Sequence, residues 1–144
     1  DWPTRLDKYF EDCADNKFEY GVFDCAIFIA DGILAMTGVD IIQEQRGKYK
    51  NEVEAKSLIR IIIPNSNSIQ AAFDLIIRLV VKENKFKEVD RNFAQRGCLV
   101  LLDEMLNNSL GLLGLDGRQI YCPHPEEGLF ILPIHHGCQF WNIE

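Results

Sequence analysis

Residues 20–38 have the sequence YGVFDCAIFIADGILAMTG, in which a polar turn is followed by a long apolar segment. Asp24 is a residue type that often caps the start of a helix, and Gly38 can adopt the left-handed conformation that ends many helices. Between them, apolar residues occupy almost every face of a helix and are not confined to one stripe. The segment therefore predicts a helix from Asp24 to about Met36, buried at the centre of the domain.

Apolar residues at helical spacing on either side of this segment predict three further helices. The first begins with a weak capping box of Thr4 and Asp7. The third begins with a capping box of Asn51 and Glu54, and the fourth spans about residues 66–80. The N-terminal two-thirds of the chain is therefore expected to be helical.

After about Lys85 the pattern changes to short apolar or alternating segments separated by Gly, Pro, Asn and Asp, which is typical of strands. Asp116-Gly117 lies between two of these segments and predicts a two-residue hairpin turn. Helices followed by antiparallel strands predict an α+β fold in a single domain, residues 1–144. The five predicted strands are 98–103, 109–115, 118–122, 129–134 and 138–143.

Composition excludes several classes of protein. The chain has 47% hydrophobic and 26% charged residues, as an ordinary globular domain has. Its 15 basic and 22 acidic residues give a net charge of −7, which argues against nucleic acid as a partner. No apolar stretch approaches the ~18 residues of a membrane span. Five cysteines, an odd number without a C-x-x-C motif, are expected to be free thiols in a reducing cytosol.

Cys25 is the leading candidate for a chemically reactive residue. A thiol at a helix N-terminus lies near unpaired N–H groups and the positive end of the helix dipole, which lower its pKa and favour the thiolate. A neutral histidine nearby would complete a nucleophile–base pair. Since free cysteines are among the most buried residues, a thiol that simply packs in the core is the commoner case.

The order of three motifs along the chain gives further information about the role of Cys25. Tyr20-Gly21 and Asp24-Cys25 open the central helix, Arg96-Gly97-Cys98-Leu99-Val100 opens a strand, and Leu110–Gly117 forms a hairpin. This arrangement resembles that of the NlpC-type cell-wall peptidase superfamily, whose members are papain-like cysteine hydrolases. The resemblance implies a papain-like fold and places Cys25 at the position of the nucleophile.

The same resemblance implies that the catalytic partners have been replaced. The general-base histidine of the family falls on Ser109, and the third polar residue, commonly histidine, falls on Tyr121. Cys98 replaces the aspartate of the family's Arg-Gly-Asp strand. Because a serine hydroxyl does not accept a proton near neutral pH, the resemblance implies a vestigial nucleophile and a chain that is not an enzyme.

The C-terminal segments Glu127–Ile134 and Trp141–Ile143, together with the Leu110–Arg118 hairpin, resemble a small phage and prophage family related to these peptidases and encoded among tail-tip genes. This resemblance implies a structural component of a phage or gene-transfer-agent-like tail tip or baseplate. Its partners would be the tail hub and the large central tip protein, with peptidoglycan as a further ligand. Its location would be the virion tail tip, and the host cytoplasm before assembly.

Two alternatives remain open. The chain could be an active hydrolase of peptidoglycan stem peptides, with Cys25 as nucleophile and His124 or His136 as the base. It could instead be a small metal-binding adaptor that uses Cys122, His124, His136 and Cys138, although their spacing matches no standard zinc motif and no cofactor is expected. The many apolar residues after Lys85 exceed what one short sheet needs, which predicts an apolar docking surface on the hairpin or the C-terminal strands.

Overall fold

The computed structural model describes residues 1–62, 86–103 and 109–143. Within these ranges, helices come first and an antiparallel sheet follows, so the predicted α+β class is confirmed. The helices are α1 (Trp2–Cys13), α2 (Cys25–Thr37) and α3 (Glu52–Ile62). The strands are β1 (Phe86–Val89), β2 (Leu99–Leu102), β3 (Leu110–Leu113), β4 (Gln119–His124), β5 (Gly128–Pro133) and β6 (Gly137–Ile143).

Helix α2 has the position and ends that the sequence predicts. The side chain of Asp24 accepts a hydrogen bond of 2.9 Å from the N–H of Ile27, which is the expected N-cap contact. Gly38 follows the last turn with φ of 78°, and its N–H donates to the carbonyl of Leu34. Ile27, Phe28, Ile29, Ala30, Gly32, Ile33 and Met36 are all buried. The prediction of a buried central helix is therefore confirmed.

The two flanking helices begin differently from each other. Helix α1 starts at Trp2 with Asp1 as its N-cap, and Thr4 lies inside the first turn, where its hydroxyl donates to Asp1 Oδ2 at 2.7 Å. The predicted capping box of Thr4 and Asp7 is wrong, since a proline in the first turn allows an earlier start. The N–H of Glu54 donates to Asn51 Oδ1 at 2.9 Å, so the predicted cap of α3 is confirmed. The predicted fourth helix lies outside the described residues.

The sheet has the order β1-β6-β2-β3-β4-β5. The sequence predicts five of these strands and misses β1, whose sequence Phe-Lys-Glu-Val contains two exposed charged residues. That strand pairs only with β6 among the described residues, from Phe86 opposite Ile143 to Val89 opposite Phe140. A short, half-charged segment forms a strand here because it pairs at an edge, where its outer side can face water.

Both faces of the central strands β2 and β3 are buried. One face packs against the helices, where Leu99, Leu101, Leu110, Leu112 and Trp141 join the core of α1 and α2. The other face forms a second core, built from the strands and their connections. Its buried members are Cys98, Val100, Leu102, Leu113, Ile120, Cys122, Leu132 and Phe140.

The second core corrects one expectation. The apolar residues of Leu99–Leu102 and Leu110–Leu113 do not form a docking surface, since every one of them is buried. They exceed the needs of a sheet that buries a single face, but strands β2 and β3 bury two. A continuous apolar run such as Leu-Val-Leu-Leu is typical of strands covered on both sides.

Asp116-Gly117 lies in the predicted β3–β4 hairpin, but the turn is wider than two residues. The N–H of Gly114 donates to the carbonyl of Gln119 at 2.7 Å, and the N–H of Gly117 donates to the carbonyl of Gly114 at 3.0 Å. Gly117 has φ of 70°. The Asp116 side chain accepts from the N–H groups of Arg118 and Gln119, which stabilises the wider connection.

Candidate functional site

Asp24 links three parts of the chain. Its Oδ1 accepts from the N–H of Ile27, and its Oδ2 accepts from the N–H of Gly21 at 2.9 Å and from the hydroxyl of Tyr49 at 2.6 Å. Asp24 is 4% exposed and is the buried charged residue of the described core. A buried carboxylate is tolerated only when hydrogen bonds replace its hydration, and these three bonds do so.

The turn before α2 requires glycine at position 21 for two reasons. Gly21 has φ of 84°, in the left-handed region that residues with a Cβ rarely adopt. A Cβ at this position would also overlap the backbone carbonyl oxygen of Tyr49. The Tyr20-Gly21…Asp24-Cys25 motif is therefore the structural unit that fixes the start of α2 against the segment containing Tyr49. Sequence patterns do not reveal the role of Tyr49, because it lies in a connection without helical or strand periodicity.

Cys25 is the first residue of α2 and is half-buried. Ser109 lies beside its sulfur, and its hydroxyl, together with the backbone of Leu110 at the start of β3, favours the thiolate by hydrogen bonding. The structure therefore brings together Cys25 and Ser109, the residues that the resemblance assigns to the nucleophile and to the position of the base.

The electrostatics of Cys25 differ from the expectation drawn from its helix position. Burial, followed by the neighbouring Asp24 carboxylate, raises the pKa of the Cys25 thiol from 9.0 to about 11. The hydrogen bonds from Ser109 and Leu110 lower this pKa but do not offset the two larger effects. The expected lowering of the pKa at the helix N-terminus is therefore wrong, since burial and then the N-cap carboxylate outweigh it.

Tyr121 lies in β4 opposite Leu112, and its ring stacks on Phe10 of α1 with centroids 4.3 Å apart. This stacking makes the ring part of the contact between the sheet and α1. In this register Tyr121 lies opposite Leu112, three residues along β3 from Ser109. The register that separates Tyr121 from Ser109 depends on the width of the hairpin turn, which the sequence does not predict.

Cys98, which stands at the aspartate position of the Arg-Gly-Asp motif, belongs to the second core. It is fully buried, and burial raises the pKa of its thiol to about 12. The preceding Gly97 has φ of 80° and donates its N–H to the carbonyl of Leu113 at 2.7 Å. Arg96 lies over the ring of Trp2, 5.5 Å from its centroid. This motif thus connects α1 to the start of β2. An aspartate at the buried position of Cys98 would need hydrogen-bond partners.

The four residues considered as metal ligands lie in different environments. Cys122 is buried in the second core, with its thiol pKa raised to about 12 by burial, whereas Cys138 is exposed on β6. His124 Nδ1 accepts from the N–H groups of Glu126 and Glu127 at 3.1 and 3.3 Å. His136 Nδ1 lies 3.3 Å from Asp103 Oδ2. Within residues 1–62, 86–103 and 109–143, no three His, Cys, Asp or Glu side chains form a group that could hold a metal ion.

A family model described as a domain of unknown function (DUF6950) matches residues 1–143. The chain belongs to the DUF6950 family. A comparison with curated proteins found no match. In the described part of the chain, no helix is both long and apolar enough to cross a membrane.

This DUF6950 domain has a cleft of about 190 Å³ beside Cys25, between the start of α2 and helix α3. Gln45 borders the cleft, and its Oε1 is buried without a hydrogen-bond partner among the described residues. Glu52 and Lys56, which also border it, form an ion pair at 2.8 Å. The apolar lining side chains include Phe18, Tyr20, Ile42, Tyr49, Leu58 and Ile59.

Proposed function

We propose that this DUF6950 domain is a structural component of a phage or phage-derived tail tip, built on a peptidase fold that has lost its catalytic partners. It would dock on the tail hub and on the large central tip protein. The observation that carries the non-catalytic part of this proposal is the pairing of Cys25 with Ser109 in place of a base. The assignment to a tail tip rests on the sequence resemblance.

The properties of the thiol support a role without turnover. With a pKa of about 11, about one molecule in ten thousand carries a thiolate at pH 7. Ser109 donates to the sulfur but has no basicity with which to remove its proton near neutral pH. The lack of a positioned base typically reduces a rate by about 10²–10⁴. If this chain hydrolysed a substrate, a residue other than Ser109 would have to act as the base.

His124 does not supply it in the arrangement described. Because Nδ1 of His124 accepts hydrogen bonds from two backbone N–H groups, the proton of the neutral ring lies on Nε2. In that tautomer Nε2 is a donor, so the ring has no free acceptor for the thiol proton. Its role is to cap the turn between β4 and β5.

Substitution of Cys25 in a phage that carries this gene tests the proposal. Particles with Cys25→Ala should assemble and infect like the parent, because the change removes one half-buried thiol and no reactive group. Tyr121→Ala serves as a folding-sensitive control, because it removes the ring that stacks on Phe10 and should reduce incorporation. Cys25→Ala particles that assemble normally but fail to breach the cell wall would overturn the proposal.

One observation favours the hydrolase as a second candidate. His136 is paired with Asp103, and a carboxylate that orients an imidazole is the usual support of a catalytic base. Asp103 follows β2 and Ser109 precedes β3, so this pair lies at the same end of the sheet as Ser109. Purified protein that cleaves peptidoglycan stem peptides, and loses this activity in both Cys25→Ala and His136→Gln, would establish the hydrolase.

A further inference from the structure

The two edges of the sheet differ in how they are protected. Strand β1 is four residues long and has Lys87 and Glu88 exposed. Strand β5 is six residues long, carries no charged side chain, and exposes 48% of Ile131. Edge strands are usually protected by charges, short length or bulges, because unpaired backbone groups recruit other strands. Edge β1 is protected by its short length and its charges, whereas the protection of edge β5 is limited to Pro133 at its last position.

The register shows which backbone groups of β5 face outward. The N–H of Ile134 donates to the carbonyl of Arg118 at 2.9 Å, which places these two residues at a hydrogen-bonded position of the ladder. Since such pairs alternate along an antiparallel ladder, Leu132 and Phe130 also bond to β4. Leu129 and Ile131 therefore direct their N–H and C=O groups away from β4, as does the carbonyl of Pro133.

The positions of the prolines support this assignment. Pro123 in β4 and Pro133 in β5 both fall at non-hydrogen-bonded pairs, where no N–H is needed between the two strands. Pro133 also removes the outward N–H at the end of the edge. Among the described residues, the open donors of the β5 edge are therefore those of Leu129 and Ile131, with outward carbonyls at Leu129, Ile131 and Pro133.

We propose that a second copy of this chain pairs with the β5 edge, antiparallel and with the two-fold axis at Ile131. In this register, each Ile131 N–H donates to the Ile131 carbonyl of the other copy. Each Leu129 N–H donates to the Pro133 carbonyl of the other copy. All four outward donors of the two copies are then satisfied by four outward acceptors. The exposed Ile131 side chains lie opposite each other at the centre.

The charges at the two ends of β5 favour a second copy as the occupant. Exposed Glu126 and Glu127 precede β5, and His135 and His136 follow it. An antiparallel pair places the acidic end of each copy at the histidine end of the other. Glu127 then lies opposite the exposed His135, with which it can form a hydrogen bond, whereas His136 is already paired with Asp103. No charged side chain lies in the strand itself, so no like charges oppose each other across the ladder. The edge is thus complementary to itself.

Sedimentation of the full purified chain tests this proposal without any phage, so its outcome is distinct from that of the proposed function. The interface is small, and association is expected between micromolar and millimolar concentration. The wild-type chain should shift from 16.5 kDa to twice that mass as concentration rises. Ile131→Lys should remain monomeric, because it places two ammonium groups opposite each other. Ile61→Lys, the same change at a residue 78% exposed on α3, should still dimerise.

Disulfide cross-linking tests the register of the proposed dimer. Hydrogen-bonded antiparallel pairs have Cα atoms about 5.5 Å apart, which suits a disulfide. In a Cys138→Ser background, which removes the exposed thiol, Ile131→Cys should form a disulfide-linked dimer on mild oxidation, and Ile61→Cys should not. A wild-type chain that is monomeric at all concentrations overturns the proposal. So does a dimer that persists in Ile131→Lys, or equal cross-linking of both cysteine variants.

Discussion

Tyr49 donates its hydroxyl hydrogen to Oδ2 of Asp24 at 2.6 Å, across 25 positions of the chain. The bond joins the connection before α3 to the N-cap of the central helix. Burial and the Asp24 carboxylate both raise the pKa of the Tyr49 hydroxyl above its usual range. The tyrosine therefore stays protonated, and remains a donor, above the pH at which a free tyrosine ionises.

Tyr49→Phe should lower the free energy of unfolding by about 1.5–3 kcal/mol, the usual worth of a hydrogen bond to a charged group. Asp24 would retain the N–H groups of Gly21 and Ile27, so the fold should survive. Chemical denaturation followed by circular dichroism measures the change. Tyr20→Phe is the matched control, because the ring of Tyr20 packs edge-on against Phe18 and that change preserves the ring. A loss no larger for Tyr49→Phe than for Tyr20→Phe would contradict the role assigned to the bond.

Gly21→Ala should destabilise the domain more than Gly117→Ala. Both glycines have positive φ, so each substitution costs about 1–2 kcal/mol from backbone conformation alone. A Cβ at Gly117 meets no atom within 4 Å, whereas one at Gly21 overlaps the Tyr49 carbonyl oxygen. We expect the overlap to add about 1–3 kcal/mol. Equal melting temperatures for the two variants would show that the turn relaxes without cost.

Helix α2 could be predicted from the sequence because its determinants are local. The N-cap, the apolar run and the terminal glycine lie within residues 24–38 and act on their own neighbours. The capping box of Asn51 and Glu54 was predictable for the same reason. The apolar runs of the strands were also sufficient to predict the α+β class.

The features of the fold and the site that the sequence does not predict depend on contacts that no local pattern encodes. The Tyr49 bond joins distant segments, and the width of the hairpin turn places Tyr121 opposite Leu112, away from Ser109. Cys25 shows the same limit. The position of its thiol at a helix N-terminus was predictable, but its raised pKa arises from burial and from the adjacent Asp24 carboxylate, which are tertiary properties of the site.

The reactivity of Cys25 should increase steeply with pH. Because its pKa is about 11, alkylation by iodoacetamide should be slow at pH 7 and should accelerate about tenfold per pH unit until about pH 10. A Cys138→Ser background removes the exposed competing thiol, and mass spectrometry of the peptide containing Cys25 follows the reaction. A rate that levels off below pH 8 would contradict the raised pKa.

The same pKa predicts a loss of stability in alkali. The folded-state pKa of the thiol is raised above its ordinary value of 9.0, so the folded chain favours the neutral form. The associated stability is complete below pH 9 and is lost as the pH rises through about 11. Cys25→Ser should weaken this dependence, as measured by the denaturation midpoint at pH 8 and pH 10. An unchanged dependence in Cys25→Ser would assign it to other groups.

Ser109→His should restore part of the missing chemistry if Ser109 occupies the position of a base. An imidazole beside the Cys25 sulfur would accept the thiol proton, and the resulting imidazolium would stabilise the thiolate. The pKa of Cys25 should fall, and alkylation at pH 7 should be at least about tenfold faster than in the parent chain. Ser109→Ala is the matched control: it removes a hydroxyl that lowers the pKa, so alkylation should become slower. If Ser109→His and Ser109→Ala change the rate in the same direction, the side chain at position 109 does not act on the sulfur as the geometry indicates.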